Sequence, residues 1–241
     1  MVASKTDIIA RLQKELLSLG GYKSSLGIVQ ESSGLSLLKH FPNAVFPTAA
    51  IHEFVSSSPE EMAACSGFIS GLMSSFLARG IIVWISRGQT IFPQALQAFN
   101  IEPHKIIFIH PTKEKEIWWC IEEALRCSSI TAVVTEMQDL NFTNSRRFQL
   151  AVEKTKVTGF ILNAKPGNPN ASACISRWKI TSLPSHLEDG LPGVGHPRWK
   201  VELKKIRNGK PGTWEIEWTG EEFIEVREQE LVIQIGKRKT G

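Results

Sequence analysis

Hydrophobic and polar positions follow two different rhythms along this chain. From Ile51 onward, short apolar runs alternate with longer stretches in which apolar residues return at helical spacing. Ile51-His52-Glu53-Phe54-Val55 predicts a strand and Met62 to Ala78 a helix; Arg79-Gly80 then leads into a strand over Ile81 to Ile85. Pro93 to Phe99 predicts a short helix, followed by a strand at Ile106 to Ile109. Lys113 to Arg126 predicts a helix with Ile117, Cys120, Ile121, Ala124 and Leu125 facing inward, followed by a strand at Ile130 to Val134. Asn144 to Thr155 and Val157 to Leu162 complete the alternation with one more helix and strand. Strands of this kind, apolar on both faces and separated by helices, build a mostly parallel sheet covered on both sides, an α/β fold.

The two ends read differently. Ile8, Ile9, Leu12, Leu16, Leu17 and Leu19 form an apolar stripe on an N-terminal helix spanning 1–21, which Gly20-Gly21 stops. Such a helix folds back on its own domain or lies on a neighbouring copy, which would make a homo-oligomer. Residues 22–47 are rich in serine and glycine and read as a connector, with Leu35, Leu37 and Leu38 as its apolar points. After Asn163 comes a loop, Lys165 to Asn170, and then antiparallel strands are expected at Ala173–Thr181, Trp199–Ile206 and Thr213–Trp218. Asn208 to Gly212 joins the last two as a hairpin loop, and Pro184 to Pro197, which holds the turn glycines Gly193 and Gly195, reads as a long loop. The core domain is therefore expected over 48–220. Residues 221–241 add an alternating run at Leu231 to Ile235 and a basic tail of Lys237, Arg238 and Lys239.

Composition narrows the functional classes. A chain of 241 residues, 42% of them hydrophobic, can bury a full core. The formal charge of +4 permits an anionic partner without requiring one. Cys65, Cys120, Cys127 and Cys174 lie far apart with no CxxC pair and read as reduced core thiols. No signal-like apolar segment follows Met1 and no run is long enough to span a bilayer, so a soluble cytoplasmic protein is expected. The six histidines have no metal-ligand spacing, and no serine has a local histidine and aspartate, so zinc or nucleophilic catalysis is not expected.

Between the strand at Ile51–Val55 and the following helix lies the position of a phosphate-binding loop, and Ser56-Ser57-Ser58-Pro59-Glu60-Glu61 occupies it. Cradling phosphates requires glycines that let backbone N–H groups curl inward, a lysine, and a hydroxyl for Mg²⁺. The glycines and the lysine are missing. Glu60 and Glu61 stand where phosphate would arrive; at an effective dielectric of about 20, a carboxylate ~4 Å away repels a unit charge by roughly 4 kcal/mol. Pro59 followed by two acids is a good helix opening in its own right. Ser57, Ser58, Pro59, Glu60 and Glu61 therefore form a degenerate phosphate loop, and neither nucleotide hydrolysis nor a cofactor is expected.

The order of elements resembles the RecA recombinase core. Phe46-Pro47-Thr48 with Ile51 to Phe54, Ala63 to Phe68, Trp118 to Arg126, Ser145 to Ala151, Ser176-Arg177-Trp178, and Pro197 to Leu203 continuing through Arg207 to Trp214 carry a more specific resemblance. They are similar to the RecA-like accessory proteins of bacterial mutagenesis cassettes, the ImuA family, with the division inhibitor SulA more distant. This resemblance covers roughly Phe46 to Trp218. It implies a role in damage-induced, error-prone synthesis across DNA lesions, exerted through protein contacts. The implied partners are an inactive Y-family polymerase homologue, RecA and an error-prone polymerase. A single-stranded-DNA-binding protein and a SulA-like division inhibitor stay open as alternatives. The loop over 163–172 is short where RecA keeps a longer DNA-binding loop, which argues against filament formation.

Several residues are candidates for contact. Arg146-Arg147 on a helix, Arg177 and Lys179 on one strand face, and Arg198 and Lys200 on the next could share a basic surface, with Trp178 and Trp199 turned away from it. If they are exposed, changes at Arg177 and Arg198 alter association and leave folding intact. The other reading is a solvated sheet face. Trp118-Trp119 is unusual, because adjacent helical residues point about 100° apart. Packing of both rings in the core is the first expectation, and exposure of one, Trp118 being the candidate, as a partner anchor is the second. Glu53 reads as a structural hydrogen-bonding group, and Glu136 and Asp139 as remnants or helix-capping groups.

Overall fold

The computed structural model describes residues 35–76, 80–88, 91–138, 140–164, 172–186 and 195–226. The N-terminal helix, the Lys165–Asn170 loop, the Leu231–Ile235 run and the basic tail lie outside these residues. In chain order the elements are β1 (Ile51–Val55), α1 (Pro59–Phe76), β2 (Ile81–Ile85), β3 (Ile106–Ile109), α2 (Glu114–Arg126), β4 (Ile130–Met137), α3 (Phe142–Thr155), β5 (Thr158–Asn163), β6 (Ser176–His186), β7 (His196–Ile206), β8 (Gly212–Trp218) and β9 (Phe223–Glu225). Among the described residues the strands form one sheet ordered β3-β2-β4-β5-β1-β6-β7-β8-β9. Every pair from β3 to β6 is parallel, and every pair from β6 to β9 is antiparallel. The expected α/β sheet with a C-terminal meander is the fold observed.

The elements form where their side chains dictate. Pro59 sits in the first turn of α1, where a missing N–H costs nothing. The Asn141 side chain accepts the Asn144 N–H at 2.8 Å and opens α3. Two cores lie on opposite faces of the sheet. One holds α1 with Phe54, Trp84, Phe160, Trp178, Trp199, Val201, Trp214 and Trp218, and runs from the parallel strands across the meander. The other holds α2 and α3 against Ile51, Val83, Ile85, Val133 and Ile161, and takes no residue from β6 to β9. The α2–α3 layer therefore ends at β1, and among the described residues no helix covers the face of the meander turned away from α1.

Three features depart from the sequence reading. The part of the connector that starts at Leu35 is packed: Leu35, Leu37, Leu38, Phe41 and Phe46 are buried in the first core, and Ser36 is held by Glu225 through its N–H and hydroxyl, both at 2.9 Å. Serine and glycine content obscured an apolar strap that lies over the meander. β6 and β7 also run well into the segment read as a long loop, extending to His186 and from His196. Finally, a short strand, β9, closes the described sheet through Phe223, whose ring lies against Gly71 of α1; a Cβ at Gly71 would meet it at 2.3 Å. That close approach explains a glycine inside a helix, where it otherwise costs stability.

The strap is fastened to the sheet by His52, which is fully buried and stacked on Phe46 at 4.7 Å and Phe160 at 5.6 Å. Its Nε2 lies 2.7 Å from the Pro47 carbonyl, which can only accept, so Nε2 carries the proton. Nδ1 therefore accepts from the Ser176 hydroxyl at 2.6 Å, and that hydroxyl in turn receives the Trp178 indole N–H at 2.7 Å. Burial pulls the imidazole down to about 4 from 6.5. A folded-state value below the unfolded one gives stability that is complete above pH 6.5 and lost as pH falls toward 4. Between pH 7 and 4.5 His52 accounts for a loss of about 2.5 kcal/mol. Urea denaturation at the two pH values should show His52→Gln less stable than the wild type at pH 7, with a pH-dependent loss smaller by about that amount; equal losses would refute the assignment.

Candidate functional site

The loop after β1 closes on itself. Ser56 N–H donates to the Asn163 carbonyl at 3.1 Å, which anchors the loop to β5. The Ser58 hydroxyl accepts Glu61 N–H at 3.3 Å, and its carbonyl accepts Met62 N–H at 3.0 Å, so Ser58 serves as the N-cap of α1. Glu61 then reaches back: its Oε2 accepts the Ser57 N–H at 2.7 Å, and its Oε1 lies 3.1 Å from Lys179 Nζ on β6. Partial burial raises the Glu61 carboxyl, but the Ser57 N–H and Lys179 outweigh it and hold the group below its ordinary range. An anion approaching this helix end meets a carboxylate already holding the Ser57 N–H and a lysine already paired. Local sequence could not show that pairing, because it depends on β6 lying beside β1 with Val55 opposite Lys179.

One step back along β1, Glu53 is fully buried on the α3 side of the sheet. Arg177 is its register partner on β6, with Nε and Nη2 each 2.9 Å from Glu53 Oε2. The Ser172 hydroxyl donates to the same oxygen at 2.7 Å, and Asn163 Nδ2 donates to Oε1 at 3.0 Å. A fully buried carboxylate held by an arginine, a serine and an asparagine is a structural group, as the sequence suggested. Arg177 is correspondingly 7% exposed. The expectation that Arg177 lies on an exposed strip is overturned, because an unpaired Glu53 at this depth would cost far more than the arginine's own desolvation.

The rest of the strip is compensated as well. Lys179 is paired with Glu61, and Arg198 lies 3.5 Å from Glu215 and 3.6 Å from Glu217 on β8, with little of its side chain exposed. Lys200 is exposed but stands directly opposite Glu215. On α3, Arg147 is drawn toward α2 by Glu122 at 2.6 Å, whereas Arg146 is exposed. The structure therefore does not join Arg146, Arg147, Arg177, Lys179, Arg198 and Lys200 into one basic surface. Alternating acids from β8 and the α1 loop interleave with them instead. Trp178 and Trp199 do turn away, into the first core.

The tryptophan pair also resolves. Trp118 stacks on Phe148 of α3 at 5.8 Å, and Trp119 is 64% exposed. The exposed ring is thus the neighbour of the candidate named from sequence; the α2–α3 contact claimed Trp118. Glu136 accepts the Trp84 indole N–H at 3.3 Å, and Asp139 lies outside the described residues. Cys65 and Cys174 are buried thiols pushed up to about 12, first by burial, while Cys127 is exposed rather than in the core. Among the described residues, no three His, Cys, Asp or Glu side chains are grouped to hold a metal, and no helix is long and apolar enough to cross a membrane.

No protein-family model matches the chain. Protein ImuA from each of two strains of Caulobacter vibrioides is 32% identical to it over 187 residues, a stretch that covers 72% of this chain and 77% of the relative.

The buried pair has a measurable signature. Arg177→Ala strands the Glu53 carboxylate and should destabilise the fold by about 3–5 kcal/mol in urea unfolding, whereas Lys200→Ala, on the meander face turned away from α1, should stay within about 0.5 kcal/mol. A cost under about 1 kcal/mol at Arg177 would mean that the pair is not structural.

Proposed function

The chain belongs to the ImuA family, and from that premise we propose that it is a non-catalytic, RecA-like accessory protein in damage-induced, error-prone DNA synthesis. It acts by protein contacts with an inactive Y-family polymerase homologue, with RecA and an error-prone polymerase as further partners. It works in the cytoplasm, where these partners meet DNA.

The observation that carries the non-catalytic half of this reading is Glu61. Its carboxylate takes the Ser57 N–H and the Lys179 ammonium, the two kinds of donor that a phosphate would need. A triphosphate would have to displace an intramolecular carboxylate and then sit beside it. Glu53, the nearest buried carboxylate, is committed to Arg177, Asn163 and Ser172 and so is not free to activate water. The reading of a single-stranded-DNA-binding strip loses its support with the burial of Arg177 and the acid partners of Arg198, and no observation favours a division inhibitor.

Two measurements test the two halves separately. Isothermal titration with Mg·ATP should give no saturable heat up to about 1 mM ligand; a Kd in the tens of micromolar, at about −6 kcal/mol, would overturn the silent-loop reading. Affinity purification of the tagged full chain from DNA-damaged cells should recover the polymerase homologue, and deletion of the gene should lower damage-induced mutation frequency. Recovery without any polymerase component, together with unchanged mutagenesis, would overturn the accessory role.

A further inference from the structure

Charge on the face of the meander turned away from α1 is divided along its length. In the part nearest the α1 loop, cations have acids beside them: Lys179 with Glu61, Arg198 with Glu215 and Glu217, and Lys200 opposite Glu215. At the other end, where β7 turns into β8, this compensation stops. Residues 204–211 read Lys-Lys-Ile-Arg-Asn-Gly-Lys-Pro and contain no acid. A register shift where Arg177 pairs with Lys205 and Trp178 with Leu203 leaves Lys204 as an extra residue. Lys204 reaches Glu202 at 2.6 Å, and Lys205 Nζ donates to the Ser172 carbonyl at 3.3 Å, so both heads stand on the side of the strand turned away from α1. Arg207 Nη2 donates to the Ala173 carbonyl at 3.2 Å, next to Ser172.

The strap adds a fifth cation. His40 is fixed on the hairpin: its carbonyl accepts the Lys210 N–H at 3.0 Å, and its Nδ1 lies 3.0 Å from the Lys210 carbonyl and 3.1 Å from that of Pro211. A Cβ at Gly209 would meet the His40 carbonyl at 2.4 Å, so the glycine is what lets the two segments touch. That contact holds the backbone at His40 against Lys210, so exposed Lys39, one residue earlier, enters at the same end of the meander as exposed Lys210. Among the described residues, Glu202 is the one carboxylate in an ion pair with any of these five cations.

We propose that this hairpin end binds the phosphate backbone of duplex DNA through Lys39, Lys204, Lys205, Arg207 and Lys210. Lys205 and Arg207 have backbone carbonyls as partners and Lys204 a single carboxylate, so the group keeps a net positive charge, which a phosphate array neutralises while releasing counterions. Two other classes of partner fit less well. A protein interface needs a buried apolar or aromatic anchor, and none of the large exposed hydrophobic side chains belongs to the strap or to residues 204–212. Single-strand binding relies on bases stacking on exposed aromatic rings, and Trp214, the ring beside His40, is buried. What is left is backbone electrostatics, which position a duplex without reading its sequence.

Fluorescence anisotropy of the full-length protein with a labelled duplex of mixed sequence tests this directly. At about 50 mM salt the wild type should bind, with a slope of log K against log salt of about −4. The quadruple variant Lys204→Gln, Lys205→Gln, Arg207→Gln, Lys210→Gln should bind at least about tenfold more weakly, with a slope flatter by about 3, while Arg146→Gln changes neither. Should the quadruple variant fail to fold in circular dichroism, Lys204→Gln with Lys210→Gln, both exposed, should flatten the slope by about 2. Absence of wild-type binding, wild-type behaviour of the charge variants, or tighter binding of a poly-glutamate peptide or a single-stranded oligonucleotide of equal length would each overturn the proposal.

Discussion

The pairing of Glu53 with Arg177 is the constraint around which the two halves of this protein meet. Parallel β1 and antiparallel-facing β6 are neighbours through register partners that carry opposite charges in the interior. A buried pair of this kind adds little to stability over an apolar replacement, yet breaking one side of it is costly, so it acts on register more than on total stability. If β6 slipped by one residue, Trp178 would face α3 and Arg177 would face Phe54 and Phe68, both inside the apolar core. The network also fixes the chain that leads into β6. Ser172 and Asn163 are held at the carboxylate, and the segment entering the strand is laid along α3, where Ala173 N–H reaches the Ser145 hydroxyl at 2.8 Å.

With β6 in that register, its other face, and those of β7 and β8, present tryptophans toward α1. Trp178 stacks on Phe54 at 5.8 Å, Phe68 of α1 lies 6.0 Å from Trp199, and Trp218 donates its indole N–H to the Ala98 carbonyl at 2.8 Å. Large rings fill the space between a helix and a twisted sheet with few rotatable bonds, and each indole N–H needs an acceptor when buried. The strap completes this layer with Phe41 and Phe46, and His52 closes it by tying Pro47 to Ser176. The aromatic core and the polar tether are thus one assembly, and the strap belongs to the domain as much as the strands do.

The parts of the fold that could be read in the sequence were those with local causes. Runs such as Ile81 to Ile85 and the 3.6-residue periodicity of α2 need no partner to be recognised, and Asn208-Gly209 announces a turn by itself. What escaped was decided by distant residues. Alternation correctly put Arg177 on the face opposite Trp178, but whether that face was wet depended on Glu53, 124 positions away. Trp118 and Trp119 were separable only once α3 offered Phe148. Serine and glycine content made 22–47 read as a connector, although Leu35, Leu37, Leu38, Phe41 and Phe46 are buried in the core they share with the meander. Of the candidate site, the helix opening at Pro59 was legible residue by residue; the pairing of Glu61 with Lys179 was not.

That last pairing explains how the helix end after β1 can be stable with no ligand in it. A helix N-terminus presents unsatisfied N–H groups and a partial positive charge, and a nucleotide-binding fold normally leaves them for phosphate. Here the Ser58 hydroxyl, at the N-cap, takes the Glu61 N–H, and the Glu61 carboxylate, from α1's first turn, takes the Ser57 N–H of the loop before it. Because the carboxylate is part of the chain, its local concentration does not depend on the cell's nucleotide pool. Its second oxygen engages Lys179, so the loop is also tied to the meander. Being partly exposed, the pair is worth at most about 1 kcal/mol, so its importance lies in occupancy. It keeps the Ser57 N–H and the Lys179 ammonium occupied by the chain's own carboxylate.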